Sequence, residues 1–274
     1  MSLAPAPTVV KLGGELLEPG ETLAPLARAI ATLASATPVV VVHGGGREID
    51  AEAARRGLVK QAVDGLRVTD AATLDAVVAV LAGVVNTRLV AALVAAGVRA
   101  VGLTGADAAL VPVGKAPLLR ATDGRLVDLG FVGEPVASTP ALAFDLVEAG
   151  YVPVIASVGI DPGSGDLYNV NADTLAAHVA AATGAARLVI AGATAGVLDD
   201  HGHVIAALDR EAIAGLIADG TASAGMIAKL AASLRALEGG VAEIVVASGR
   251  VWAARGVISG TRIVGHAVTA GERA

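Results

Sequence analysis

Short runs of β-branched residues alternate along this chain with stretches in which apolar side chains return every three or four positions. The first pattern reads as buried strand and the second as amphipathic helix. Thr8–Leu12 is the first strand and Glu21–Ser35 the first helix. Pro38 introduces a strand over Val39–Val42, and Glu48–Arg56 is helical. Ala71–Ala96 has a helical pattern, broken or bent near Gly83–Asn86, and Val98–Leu103 is a strand. Pro140–Ala149 and Ala172–Thr183 are helices, separated by a strand over Tyr151–Ala156. Arg187–Ala191 is a strand, Arg210–Ala218 and Met226–Leu237 are helices, and Glu243–Ala247 is a strand, with Thr261–Val264 a candidate last one.

Two further segments carry turn chemistry. Leu58–Thr69 contains Asp64-Gly65 and Leu118–Val127 contains Asp123-Gly124, both hairpin signals. Asp161-Pro162-Gly163-Ser164-Gly165 is a loop and a candidate tip for a third hairpin. Strands separated by helices imply an α/β fold with a mainly parallel sheet covered on both faces. The hairpins are then insertions at its edge or at one end. A shallow boundary is expected near Thr183–Ala186, giving lobes 1–184 and 185–274 that share the sheet.

Composition narrows the chemistry. The 274 residues are 54% hydrophobic but only 2% aromatic, so the core is built from Val, Leu, Ile and Ala. Cysteine is absent, which removes disulfides, thiol nucleophiles and zinc-thiolate sites and fits a reducing cytoplasm. The N-terminus has no basic segment followed by an apolar run, so no signal peptide is expected. Ala76–Val98 has the length of a membrane span, but Asn86-Thr87-Arg88 sits at its middle. An arginine there costs roughly 2.5–3.5 kcal/mol, which favours soluble helices. A net charge of −6 argues against non-specific nucleic-acid binding.

The cations are chosen unevenly: sixteen arginines and four lysines, Lys11, Lys60, Lys115 and Lys229. The surviving lysines are candidates for positions that need a compact ammonium group rather than a planar fork. Lys11 opens Lys11-Leu12-Gly13-Gly14, a strand-to-helix turn, and His43-Gly44-Gly45-Gly46 is a second such turn. Turns of this kind present backbone N–H groups to anions, above all phosphate. The second lacks the fourth glycine of a dinucleotide fingerprint and the G-K-[ST] of a P-loop, which makes a dehydrogenase the weaker reading. Arg67, in Gly65-Leu66-Arg67-Val68-Thr69, is placed to clamp a substrate carboxylate bidentately. In Asn169-Val170-Asn171-Ala172-Asp173, Asn171 reads as a helix N-cap and Asp173 as a first-turn acid. Lys229 lies one turn into the helix opened by Gly225-Met226. His201-Gly202-His203 resembles a metal pair but lacks a third ligand and reads as a polar turn, so no metal site is assigned.

These five motifs, in this order from Val9 to Val264, resemble the amino acid kinase family, and the third and fourth resemble its acetylglutamate branch. The resemblance implies a three-layer αβα fold. It implies transfer of the γ-phosphoryl group of ATP, carried with Mg²⁺, to the side-chain carboxylate of N-acetyl-L-glutamate in arginine biosynthesis. Lys11 and Lys229 then stabilise the transferring group, and Asp173 orients both. Gly44, Gly45, Arg67 and Asn169 bind the acyl amino acid. Gly13, Gly14 and Gly44 face the phosphate. The nucleotide falls to Ala193, Thr194, Ala195, Gly196, Val197 and Leu198, with Thr221, Ala222 and Ser223.

The chain departs from the family pattern in places. Gly192-Ala193 stands where the family usually has Ser/Thr-Asp, so a nucleotide-contacting aspartate is missing. The segment from Val101 to Ala108 lacks a lysine often found after its second glycine, and the stretch between Arg250 and Thr261 is short. Only seven residues precede Thr8, where arginine-inhibited members carry a helix. A homodimer insensitive to arginine is the resulting expectation. A kinase for carrier-linked α-aminoadipate and a non-catalytic sensor of the same fold are the alternatives.

Overall fold

Val39, Val40, Val41 and Val42 are each at most 1% exposed, the state expected of a parallel strand covered on both faces. Full burial of one such side chain is worth about 1.5–3 kcal/mol. The computed structural model describes residues 6–268. Its main sheet has eight strands: β1 (Thr8–Leu12), β2 (Val39–His43), β3 (Ala100–Thr104), β4 (Val152–Ala156), β5 (Arg187–Gly192), β6 (Ala207–Leu208), β7 (Glu243–Ser248) and β8 (Gly260–Ile263). Their order is β6-β8-β7-β5-β1-β2-β4-β3. All neighbours are parallel except β7 and β8.

Alternation along each strand divides the core in two. Val9, Val40, Val42, Ile155 and Ile190 face one side, while Val10, Val39, Val41, Val154 and Val189 face the other. The second side is covered by α1 (Leu23–Ala36), the long helix Ala71–Ala95 and the short helix Gly249–Arg255. The first is covered by the helices Ala141–Glu148, Ala172–Ala182, Arg210–Ala218 and Ala224–Glu238. The expected three-layer αβα fold is therefore the observed one. Residues 1–184 supply β1–β4 and residues 185–274 supply β5–β8, two adjoining halves of one sheet.

Several expectations are corrected. The strand placed at Val98–Leu103 begins at Ala100 and ends at Thr104. The helix expected to be broken or bent near Gly83–Asn86 is not broken there but changes its winding, Ala79–Val85 forming a π-helix. By length and composition Ala71–Ala95 is apolar enough to cross a membrane. In the fold, Val77, Leu81, Val85, Leu89 and Leu93 pack into the core, so it works as a core helix. Arg88, the residue that argued against a span, pairs with Glu48 and donates to the Leu17 carbonyl at 3.0 Å. The helix Gly249–Arg255, the strand β6 and the ladder of Val113–Lys115 with Gly133–Pro135 escape the sequence pattern because each is too short to show a period. The third hairpin exists, pairing Val158–Ile160 with Leu167–Asn169.

Candidate active site

Register decides where the glycine turns meet. Leu12 pairs with His43 on one side and with Ala191 on the other, so the turns leaving β1, β2 and β5 emerge together. This is the carboxyl edge of the sheet, where the chain reverses its direction of strand addition and ligands bind in parallel folds. A Cβ on Gly14 would lie 2.7 Å from the Gly45 Cα, so only glycine at position 14 lets the two turns come this close. The Gly13 N–H is taken by the Ala191 carbonyl at 2.9 Å, and the Gly44 N–H points to the Leu12 carbonyl at 3.4 Å. Gly13 and Gly44 thus shape the turns. Among the described residues, the N–H groups of Gly14, Gly45 and Gly46 have no protein acceptor, the condition under which such turns can receive an anion.

The second turn rests on a buried pair. His43 is fully buried, its Nδ1 3.1 Å from the Gly44 carbonyl and its Nε2 3.0 Å from Asn86 Nδ2. The amide donates to Nε2, so the proton sits on Nδ1 and the ring is neutral. Asn86 also donates to the Val154 carbonyl at 2.9 Å. Burial lowers the His43 pKa to about 4, opposed by the hydrogen bond to Gly44. The unfolded chain takes up this proton near pH 6.5 and the folded one only near 4. Stability therefore falls as pH drops through that window, by about 3 kcal/mol in all. Urea titrations at pH 7, 5.5 and 4.5 check this; a His43→Gln variant should lose the part of the slope that the histidine carries.

The charged centre stands behind the first turn. Lys11, at the end of β1, puts Nζ 2.9 Å from Asp173 Oδ1, with both side chains buried. At that distance, away from water, ammonium and carboxylate form a charge-assisted pair. Asn171 caps the helix Ala172–Ala182, its Oδ1 accepting from the N–H groups of Asp173 and Thr174 at 2.9 and 3.1 Å. The cap holds the Asp173 carboxylate at the helix start, facing the sheet edge. Lys229 is half-buried and, among the described residues, donates only to the Gly225 carbonyl, at 3.3 Å. Burial, then repulsion from Lys11, lowers its pKa, against attraction from Asp173 and Glu15.

A cleft of about 260 Å³ opens in front of this centre. Lys11, Gly44, Gly45, Arg67, Asn169 and Asp173 all line it. Its lid is the hairpin Ala62–Val63/Leu66–Arg67, whose tip has positive φ at Asp64 (49°) and Gly65 (82°), the tight turn such hairpins favour. The Asp64 carboxylate accepts from Thr122 of the next hairpin at 2.8 and 2.9 Å, so the two tips are tied. Asn169 donates to Thr69 Oγ1 at 3.2 Å. Arg67 differs from the expected bidentate clamp. Its Nη2 is held by the Asp50 carboxylate and lies 3.3 Å from the Gly46 carbonyl, while Nη1 is buried without a partner among the described residues. One prong is thus fixed by the protein and the other faces the cleft without a protein acceptor among the described residues. Burial raises the Asp50 pKa, but Lys60 and Arg67 outweigh it and hold the carboxylate ionised.

A second cavity, about 150 Å³, lies in the C-terminal half. Thr194, Gly196, Val197 and Leu198 line one wall, and Thr221, Ala222 and Ser223 with Met226 the other. Ala193 and Ala195, expected here too, do not line it; the Ala193 N–H instead donates to Glu15 Oε1 at 3.1 Å. His201-Gly202-His203 is a polar turn, the Asp199 carboxylate accepting from the N–H groups of both histidines.

Sequence reading overlooked Glu15, Asp50, His43 and Asn86 as site-building residues. Asp50 and Glu15 follow their glycine turns closely, and that nearness is the one signal that marks them. Asn86 carried none beyond asparagine's scarcity.

The model of the amino acid kinase family matches residues 6–248. The acetylglutamate kinase of Symbiobacterium thermophilum is 42% identical over 247 residues, spanning 89% of this chain and 84% of that protein. That of Parvibaculum lavamentivorans is 43% identical over 248 residues, spanning 89% and 81%. The solved structure of smu.665 from Streptococcus mutans UA159 superposes with a TM-score of 0.82 at 25% identity, covering 95% of this chain and 99% of that one. With a matching family model over most of its length and relatives above 40% identity, the chain belongs to the amino acid kinase family.

Proposed function

We infer that this protein is an acetylglutamate kinase, transferring the γ-phosphoryl group of ATP to the side-chain carboxylate of N-acetyl-L-glutamate in arginine biosynthesis. One observation carries the reading. The Lys11–Asp173 pair lines the first cleft, and Lys229, electrostatically coupled to both, stands one turn along the helix whose start lines the second cavity. Each cavity is thus bordered by an element that carries one of two ammonium groups, and the two groups stand close enough to repel each other. The relatives named acetylglutamate kinase support the choice of acceptor.

The chemistry fits that arrangement. The acceptor carboxylate is already ionised at pH 7, so no general base is required. One of its oxygens bonds to the γ-phosphorus, the bond from that phosphorus to the β,γ-bridging oxygen breaks, and ADP leaves with the electron pair. An anion must approach a polyanion, so positioning and charge neutralisation supply the catalysis. We assign the acceptor to Gly44, Gly45, Asn169 and the free Nη1 of Arg67. Lys11 and Lys229 flank the phosphoryl group, and Asp173 orients them. Gly14 and Gly45 offer it their free N–H groups. The purine and ribose fall to the cavity of Thr194–Leu198 and Thr221–Ser223. Mg²⁺ enters with ATP as part of that co-substrate. Residues 1–184 form the acceptor lobe and 185–274 the nucleotide lobe.

We also propose that two copies pair through the outer face of the helix Ala71–Ala95. Val84 and Val94 are about half exposed there, and the edge strand β3 lies beside that helix. The absence of cysteine supports a cytoplasmic setting.

A coupled assay for ADP release tests the activity. N-acetyl-L-glutamate with MgATP should turn over, and a carrier-linked α-aminoadipate should not. In the same assay Arg67→Ala should raise the acceptor KM about tenfold or more with little change in kcat, because the lost contact serves binding. No ADP release with N-acetyl-L-glutamate overturns the assignment.

A further inference from the structure

Glu15 has no part in the mechanism above, yet its carboxylate lies inside the phosphoryl centre. It follows the first glycine turn and folds back over it: a Cβ on Gly13 would stand 2.4 and 2.5 Å from its two oxygens. Oε1 accepts from the Ala193 N–H at 3.1 Å, at the end of β5. A Cβ on Gly192 would lie 3.3 Å from that same oxygen and 3.6 Å from Lys229 Cε. The carboxylate therefore sits between two glycine turns and the Lys229 side chain. Among the described residues it has no cation within ion-pair distance, so a backbone N–H and the field of Lys229 are what hold it there. A backbone N–H at a strand end and an ammonium group are also what a phosphate oxygen seeks.

We propose that Glu15 is an internal counter-ion of the phosphoryl site, its carboxylate occupying in the nucleotide-free protein part of the ground the donor phosphates take, so that it limits nucleotide affinity. This rests on the reading of Lys229 as the lysine that faces the phosphates. With Glu15 the cluster of Lys11, Lys229, Asp173 and Glu15 carries no net charge; without it the cluster is positive. A polyphosphate entering the site has to displace this carboxylate or approach it, and both weaken binding. Glu15 also joins the N-terminal turn of one half of the sheet to the first turn of the other. Its release on nucleotide binding frees the Ala193 N–H at the moment a phosphate arrives.

Titration calorimetry with inorganic tripolyphosphate and with MgATP tests this on wild type, Glu15→Gln and Glu15→Ala. The amide of Glu15→Gln keeps an oxygen for the Ala193 N–H and removes only the charge. Both ligands should bind the two variants about tenfold more tightly than wild type, equivalent to about 1.4 kcal/mol. The KM for ATP should fall while the acceptor KM stays within twofold, a split that a merely structural role would not produce. The gain should shrink as salt is added. Equal or weaker binding of both ligands in both variants overturns the proposal. Weaker MgATP binding with unchanged tripolyphosphate binding overturns it as well, and makes Glu15 a metal-holding group instead. A wild-type protein that binds neither ligand overturns the phosphate reading of the site, and this proposal with it.

Discussion

In Lys229→Ala, kcat falls by about 10³ while the acceptor KM stays within about threefold and the melting temperature is unchanged. Removing one preorganised donor from a charge-stabilising site costs about 10²–10³ in rate. Phosphoryl transfer to a carboxylate lies at the upper end of that range, since charge neutralisation is nearly all the protein provides. The fold is indifferent to the loss because Lys229 is half-buried and holds only a long contact to the Gly225 carbonyl. Its removal takes away both the repulsion from Lys11 and the attraction to Asp173 and Glu15, which oppose each other. Lys229→Arg should recover little of the rate, since a planar fork does not follow the shifting oxygens of an in-line transfer as a compact ammonium does. Steady-state kinetics with a thermal melt decide the matter; a Lys229→Ala enzyme with kcat within threefold of wild type refutes the assigned role.

Asp173→Ala loses activity and stability together. Lys11 is 5% exposed and Asp173 6%, so the substitution strands an ammonium ion away from water. Breaking a buried pair from one side costs about 3–5 kcal/mol. In a chain of this size that lowers the melting temperature by about 10 °C. The informative companion is Lys11→Met with Asp173→Leu. It replaces the pair by apolar groups of similar size and should regain most of the stability while remaining inactive. A double variant that stays as unstable as Asp173→Ala shows that the pair is needed for packing. One that recovers activity removes Lys11 and Asp173 from the chemistry. The two predictions separate the lysines: loss of the Lys11 pair is expected to affect stability and rate, loss of Lys229 the rate alone.

The parts of the site legible in the sequence share a local cause. Val39–Val42 announces a buried strand by composition, and a glycine run directly after a strand announces a turn without side chains. Asn171 announces a cap because the requirement lies within three residues, between its Oδ1 and the N–H groups of Asp173 and Thr174. Lys11 and Lys229 stood out through a bias in composition. What stayed illegible depends on register across the sheet. No pattern near Asn86 says that its amide lies against His43, forty-three positions earlier. The same holds for Glu15, whose partner Ala193 is 178 positions away. Asp50 was visible as a residue, but that it occupies one prong of Arg67 follows from the lid folding over the helix Gly46–Arg55.

The sequence by itself therefore determined the strand and helix alternation, the two side-chain-free turns that follow β1 and β2, and the two lysines around which the chemistry is proposed. Each rests on short-range sterics, hydrogen bonding or hydrophobic period, which a few consecutive residues specify. Only the tertiary structure decided that Leu12 aligns with both His43 and Ala191, bringing three turns to one edge. It alone set which N–H groups stay free, which prong of Arg67 is open, and that a carboxylate stands beside Lys229. Those are outcomes of packing between distant segments, where a shift of one residue in register would turn every side chain to the opposite face.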